Sequence, residues 1–134
     1  MEWYVYCLKN TFNFHSRGRR KEFWMFTLFN ILIIASILGS GLFFSKSFDH
    51  EDLTFGIAGI YVLLILIPSL AAVVRRLHDT GRSGWWFLIR FIPIIGNIWL
   101  LILLVEDSQL GKNKWGNNPK GIGNDTEIDQ IGQE

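Results

Sequence analysis

The chain has 134 residues, 13 Lys plus Arg against 12 Asp plus Glu, and a formal net charge of +1. That length suits one domain, and the near-balance of charge leaves no basic footprint of the kind nucleic-acid binding needs. An apolar content of 49 % does not decide the environment, but its distribution does: residues 23–45 and 53–74 carry no charge, and 83–105 carry only Arg90.

Residues 2–14 come first. Wound as a helix they are amphipathic, with Glu2, Tyr6, Lys9 and Asn13 in one strip and Trp3, Tyr4, Leu8, Phe12 and Phe14 around it. Such a short helix either lies in the headgroup region or packs on the protein's own cytoplasmic face. Arg17, Arg19, Arg20 and Lys21 follow, then Phe23 and Trp24. A basic cluster against an aromatic anchor marks the cytoplasmic start of a membrane span.

Three spans are expected, at about 23–45, 53–74 and 84–105. A helix rises about 1.5 Å per residue, so each can cross a hydrocarbon core of roughly 30 Å. The first is too long for the apolar region of a secretory signal, usually about 7 to 15 residues, and is read as retained. Small residues at Ala35, Ser36, Gly39 and Ser40, and at Gly56, Gly59 and Ala72, suggest close helix packing. Asn30 and Asn97 suit hydrogen bonds between helices, and Pro68 a kink in the second span.

Cations against anions run 5 to 2 before the first span, 1 to 3 at 46–52, 3 to 1 at 75–84 and 3 to 6 from residue 106. The alternation places the N-terminus in the cytoplasm. Counted as cations alone, however, Lys112, Lys114 and Lys120 would keep the tail there too. Pro93 with Gly96 and Asn97 offers turn chemistry for a re-entrant hairpin, which is the alternative to a kinked third span. The domain is taken as residues 1–121, with a disordered polar tail at 122–134.

The densest charged constellation is Arg75, Arg76, His78, Asp79 and Arg82, ahead of Ser83, Trp85 and Trp86. Asp79 lies within helical reach of Arg75 and Arg76, yet one carboxylate cannot neutralise three guanidinium groups. The surplus suits phosphate, which arginine grips with its planar fork. Arg17, Arg19, Arg20, Arg75, Arg76, Arg82 and Arg90 are therefore candidates for binding anionic lipid or phosphate. Glu22, His78, Asp79 and Ser83 would orient or cap, and Trp24, Trp85 and Trp86 would anchor at the interface. Arg90 can reach back to the cytoplasmic surface.

No catalytic residue is assigned. His78 and Asp79 diverge on a helix, and the three histidines have no metal-ligand spacing. A lone cysteine, Cys7, excludes a disulfide within the chain and cysteine-held cofactors. No cofactor is expected.

The run 14–24, FHSRGRRKEFW, with RRLHDTGRSGWW at 75–86 and GKNKWGNNP at 111–119, resembles the YhaH-like bacterial inner-membrane family, domain of unknown function 805. Ser16 and Leu110 depart from that family's usual glycine and proline. The resemblance implies a small multi-pass inner-membrane protein and brings no catalytic residues. The reading is thus an all-α integral membrane protein, without evident catalysis, whose basic cytoplasmic face binds anionic lipid or an acidic partner. A homo-oligomeric channel or transporter subunit, and an enzyme acting on lipid phosphate, are the alternatives.

Overall fold

A computed structural model describes residues 2–45 and 51–124. They form four α-helices and one 3-10 helix: α1 (Glu2–Lys9), α2 (Arg20–Ser45), α3 (Glu51–Asp79), the 3-10 helix Gly84–Phe91 and α4 (Ile95–Val105). No strand occurs among the described residues.

The two long helices are continuous apolar sequence and show almost no polar side. With 26 and 29 residues they reach about 39 and 43 Å at 1.5 Å per residue. Both are long and apolar enough to cross a membrane. Large side chains along them face outward; Leu63 and Leu64 are 70 and 71 % exposed. Surface of this kind is stable against lipid, since a water-facing monomer rarely presents so large an apolar patch.

α2 and α3 pack against one another, and α1 lies across α2. α1 is thus packed on the protein rather than standing free of it. The Tyr4 ring stacks on Phe26 at 5.3 Å, and the Tyr4 hydroxyl lies 3.3 Å from that of Tyr61. Tyr61 in turn donates to Asn30 at 2.6 Å, the helix-to-helix bond expected of Asn30. The close approach of α2 to α3 falls elsewhere than the small-residue pairs suggest. Nothing lies within 4 Å of a Cβ added at Gly39, Gly56 or Gly59, whereas one at Gly41 would meet Thr54 Cγ2 at 2.3 Å.

The third apolar stretch is not one helix. The 3-10 helix spans eight residues and α4 eleven, each about 16 Å long at 2.0 and 1.5 Å per residue, roughly half a hydrocarbon core. Between them Ile95 N–H donates to Pro93 C=O at 2.8 Å, closing a γ-turn on Ile94, whose φ is 64° and ψ −69°. That conformation is strained for a β-branched residue. Gly96 makes the return possible: a Cβ there would lie 1.8 Å from the Ile89 carbonyl oxygen. Both limbs rest on α3, and α4 ends beside the residues from which the 3-10 helix starts. The kinked third span expected over 84–105 is therefore not one helix but a bent pair of short helices.

Residues 122–124 are packed rather than loose. Ile122 C=O accepts from Gly111 N–H at 3.0 Å, and buried Asn124 accepts from Asn118 N–H at 2.7 Å. The remainder of the segment expected to be disordered, 125–134, lies outside the described residues.

Candidate functional site

α3 ends in a Schellman turn: Arg82 N–H reaches Leu77 C=O at 2.9 Å and Gly81 N–H reaches His78 C=O at 3.1 Å, with Gly81 at φ 78°. This turn fixes the last helical residues, Arg75 to Asp79, at the meeting point of the three charged motifs.

Asp79 is fully buried and lies at the centre. Its Oδ1 accepts from Arg17 Nε at 3.1 Å; its Oδ2 accepts from Arg76 Nη1 and from Ser108 Oγ, each at 2.5 Å. Arg17 then spends its remaining donors on main chain, reaching Gln109 C=O at 2.5 Å and Gly111 C=O at 2.7 Å. Arg76 donates to Leu104 C=O at 3.0 Å and also to Glu106 C=O. These carbonyls lie in the last turn of α4 and just beyond it, so two guanidinium groups tie that end of the chain to α3.

Arg75 turns the other way. It donates twice to Glu22 Oε1, at 2.8 and 3.2 Å, and to the carbonyls of Asn10 and Asn13 at 2.6 and 3.1 Å. Its own carbonyl accepts Gly18 N–H at 3.0 Å, and a Cβ on Gly18 would crowd Arg75 Cβ at 3.1 Å. Glycine inside the first motif thus lets that loop lie flat on α3. Cys7 Sγ lies 3.4 Å from Glu22 Oε1; burial, then the Glu22 charge, pushes its thiol up to about 12.

Arg17, Arg75 and Arg76 are 7, 1 and 0 % exposed, so these three candidates are internal cross-links with their forks occupied. Asp79 pairs with Arg17 and Arg76, and the expected Arg75–Asp79 pairing gives way to Arg75–Glu22. The participation of Ser108 and of the carbonyls at Leu104, Glu106, Gln109 and Gly111 has no sequence signature beyond the tail's polarity.

Arg19, Arg20 and Lys21 remain toward solvent, and with Lys120 they line a cleft of about 440 Å³. Arg19 donates to Pro119 C=O, while Arg20 at 3.9 Å and Lys120 at 2.5 Å face Asp107, whose carboxyl is held below its usual range by the Lys120 bond first. Arg82 pairs with Glu106. Arg90 stands apart, exposed on the 3-10 helix.

His78 and Asp79 do not converge. The His78 ring stacks on Trp115 at 4.4 Å and lines a largely apolar cavity of about 560 Å³ with Phe14, Ser83 and Phe87. Ser83 caps the 3-10 helix, accepting Trp85 N–H at 3.5 Å. Trp24, Trp85 and Trp86 are exposed, as interface anchors would be. No cluster of metal-ligating residues occurs among the described residues.

Two bilayer-length apolar helices, with three charged motifs joined at one end by buried arginines, define a small helical membrane protein. Residues 11–117 match the model of the family described as Protein of unknown function (DUF805), and the chain belongs to that family. It is 41 % identical over 120 residues to Inner membrane protein YhaI of Escherichia coli (strain K12), covering 90 % of this chain and 97 % of that one. Inner membrane protein YhaH of the same strain is 38 % identical over 122 residues, covering 90 and 98 %. No solved structure matches.

Proposed function

We propose that the chain is a non-catalytic inner-membrane protein with two full spans and a re-entrant hairpin. Its N-terminus, α3 turn and tail share the cytoplasmic side, where an exposed basic rim holds anionic headgroups. The arrangement is supported by Arg17, whose bonds to Asp79 and to the carbonyls of Gln109 and Gly111 require all three segments at one end of the helices. The excess of cations there favours the cytoplasm.

The headgroup reading rests on one observation, the cleft bounded by the four cations Arg19, Arg20, Lys21 and Lys120, of which only Arg20 and Lys120 are ion-paired among the described residues, both with Asp107. The buried arginines are removed from this role, and the rim inherits it. Each cation near an anionic surface contributes about 1 kcal/mol, roughly fivefold in association. In nanodiscs of phosphatidylcholine and phosphatidylglycerol, R19Q/K21Q/K120Q should lose most of the wild-type enrichment of phosphatidylglycerol. Unchanged enrichment would refute the reading.

A further inference from the structure

Arg90 is the only charged residue of 83–105, and it forms no hydrogen bond or ion pair with any described residue. Six residues of 3-10 helix separate it from Gly84, so it lies about 12 Å beyond the charged end at 2.0 Å per residue. Ser69, ten residues before Asp79 on α3, lies at a similar depth, about 15 Å at 1.5 Å per residue. The two residues line one groove of about 420 Å³ between α3 and the 3-10 helix; the rest of its wall is apolar, with Val62, Leu66, Val73 and Phe87.

An unpaired guanidinium at this depth is costly unless it meets an anion. The described residues supply none there. No Asp or Glu occurs in 23–45, 53–74 or 83–105, so a second copy inserted in parallel would bring no carboxylate to the level of Arg90. The surrounding membrane can. We propose that this groove is a seat for one anionic phospholipid, its phosphodiester gripped by Arg90 from the lower edge of the headgroup layer and one acyl chain lying along Leu66 and Val62.

The polarity of the groove fits that occupant. Arg90 and Ser69 sit midway along the groove, with Val73 and Phe87 nearer the charged end, and Val62 lies a further seven residues beyond Ser69, about 10 Å, toward the membrane interior. Arginine's planar fork suits a phosphodiester, and its aliphatic stem can run along the apolar wall. The seat shares with the basic rim only the premise that the chain meets anionic lipid.

The test uses the full chain in nanodiscs containing phosphatidylglycerol with a photoreactive group on its acyl chain, and mass-spectrometric mapping of labelled peptides. Wild-type protein should be labelled on 62–70, and R90Q should lose at least about fivefold of that labelling, with R90K losing less because it keeps the charge. L66W fills the groove without touching the charge and should lower labelling similarly. R19Q/K21Q/K120Q keeps Arg90 and should retain groove labelling well above that of R90Q, whereas R90Q should keep the rim's enrichment, so the two losses report separately. Groove labelling unaffected by R90Q would overturn the proposal. So would stronger labelling by photoreactive palmitate than by the phospholipid, or a groove covered by protein-to-protein cross-links.

Discussion

Replacing Asp79 with Asn keeps the shape of the side chain and removes the charge on which two buried guanidinium groups depend. Arg17 Nε lies 3.1 Å from Oδ1 and Arg76 Nη1 2.5 Å from Oδ2, with both partners and the aspartate almost wholly buried. Breaking one buried ion pair by removing a partner costs about 3–5 kcal/mol, because the remaining charge is left uncompensated. Here two cations share the loss. The carbonyls of Leu104, Glu106, Gln109 and Gly111 keep some of their donors engaged, so the cost should lie near that range rather than at twice it.

At about 2–4 °C per kcal/mol, the midpoint of thermal unfolding in detergent should fall by about 6–20 °C. The loss should begin locally. Proteolysis within 106–120 should accelerate before far-UV circular dichroism reports any loss of α2 or α3. R17Q and D79N should couple strongly, the double variant being far less damaged than the sum of the singles. A D79N protein with an unchanged midpoint and an equally protected tail would refute the view that Asp79 holds the three motifs together.

Further tests reach other links in the chain of reasoning. With single cysteines at Lys21, Ser47 and Asn117 in a Cys7→Ser background, an impermeant thiol reagent should label 21 and 117 from one side and 47 from the other; 117 labelled with 47 would restore a straight third span. Gly96→Ala should destabilise the hairpin by about 1–3 kcal/mol or more, since its Cβ would collide with the Ile89 carbonyl, and thermal unfolding should show the drop. Ile94→Gly should hold or raise the midpoint, because glycine relieves a positive φ that costs about 1–3 kcal/mol. Cys7 should resist maleimide at pH 8 in the folded protein and react on denaturation. Its thiol is raised from 9.0 to about 12, so the stability gained by burying it neutral is present below pH 9 and is lost as pH rises from 9 toward 12.

The sequence shows some of this plainly and hides the rest for identifiable reasons. Asn30 announces a hydrogen bond between helices because an amide in an apolar span has no water to bond, and Ser83 before Gly84 announces a cap by a local rule. Arg17, Arg75 and Arg76 read as a solvated basic face because counting charges assigns each to solvent. Their acceptors include a carboxylate 62 residues from Arg17 and carbonyls 92 and 94 residues away, which any residue type can provide. The bend between the 3-10 helix and α4 is legible in Pro93 and Gly96, but the return of α4 to the end of α3 depends on Arg76 reaching Leu104 C=O, a contact no periodicity encodes.

The arginine cross-links also impose an order on biogenesis. Arg17 and Arg76 leave the ribosome well before residues 104–111, so for part of synthesis each guanidinium has Asp79 at most and lacks its main-chain acceptors. Closure of the charged end therefore waits for the last stretch of chain. A chain truncated before residue 104 would leave Arg17 and Arg76 with Asp79 as their shared side-chain acceptor and without the carbonyls that occupy the rest of their forks.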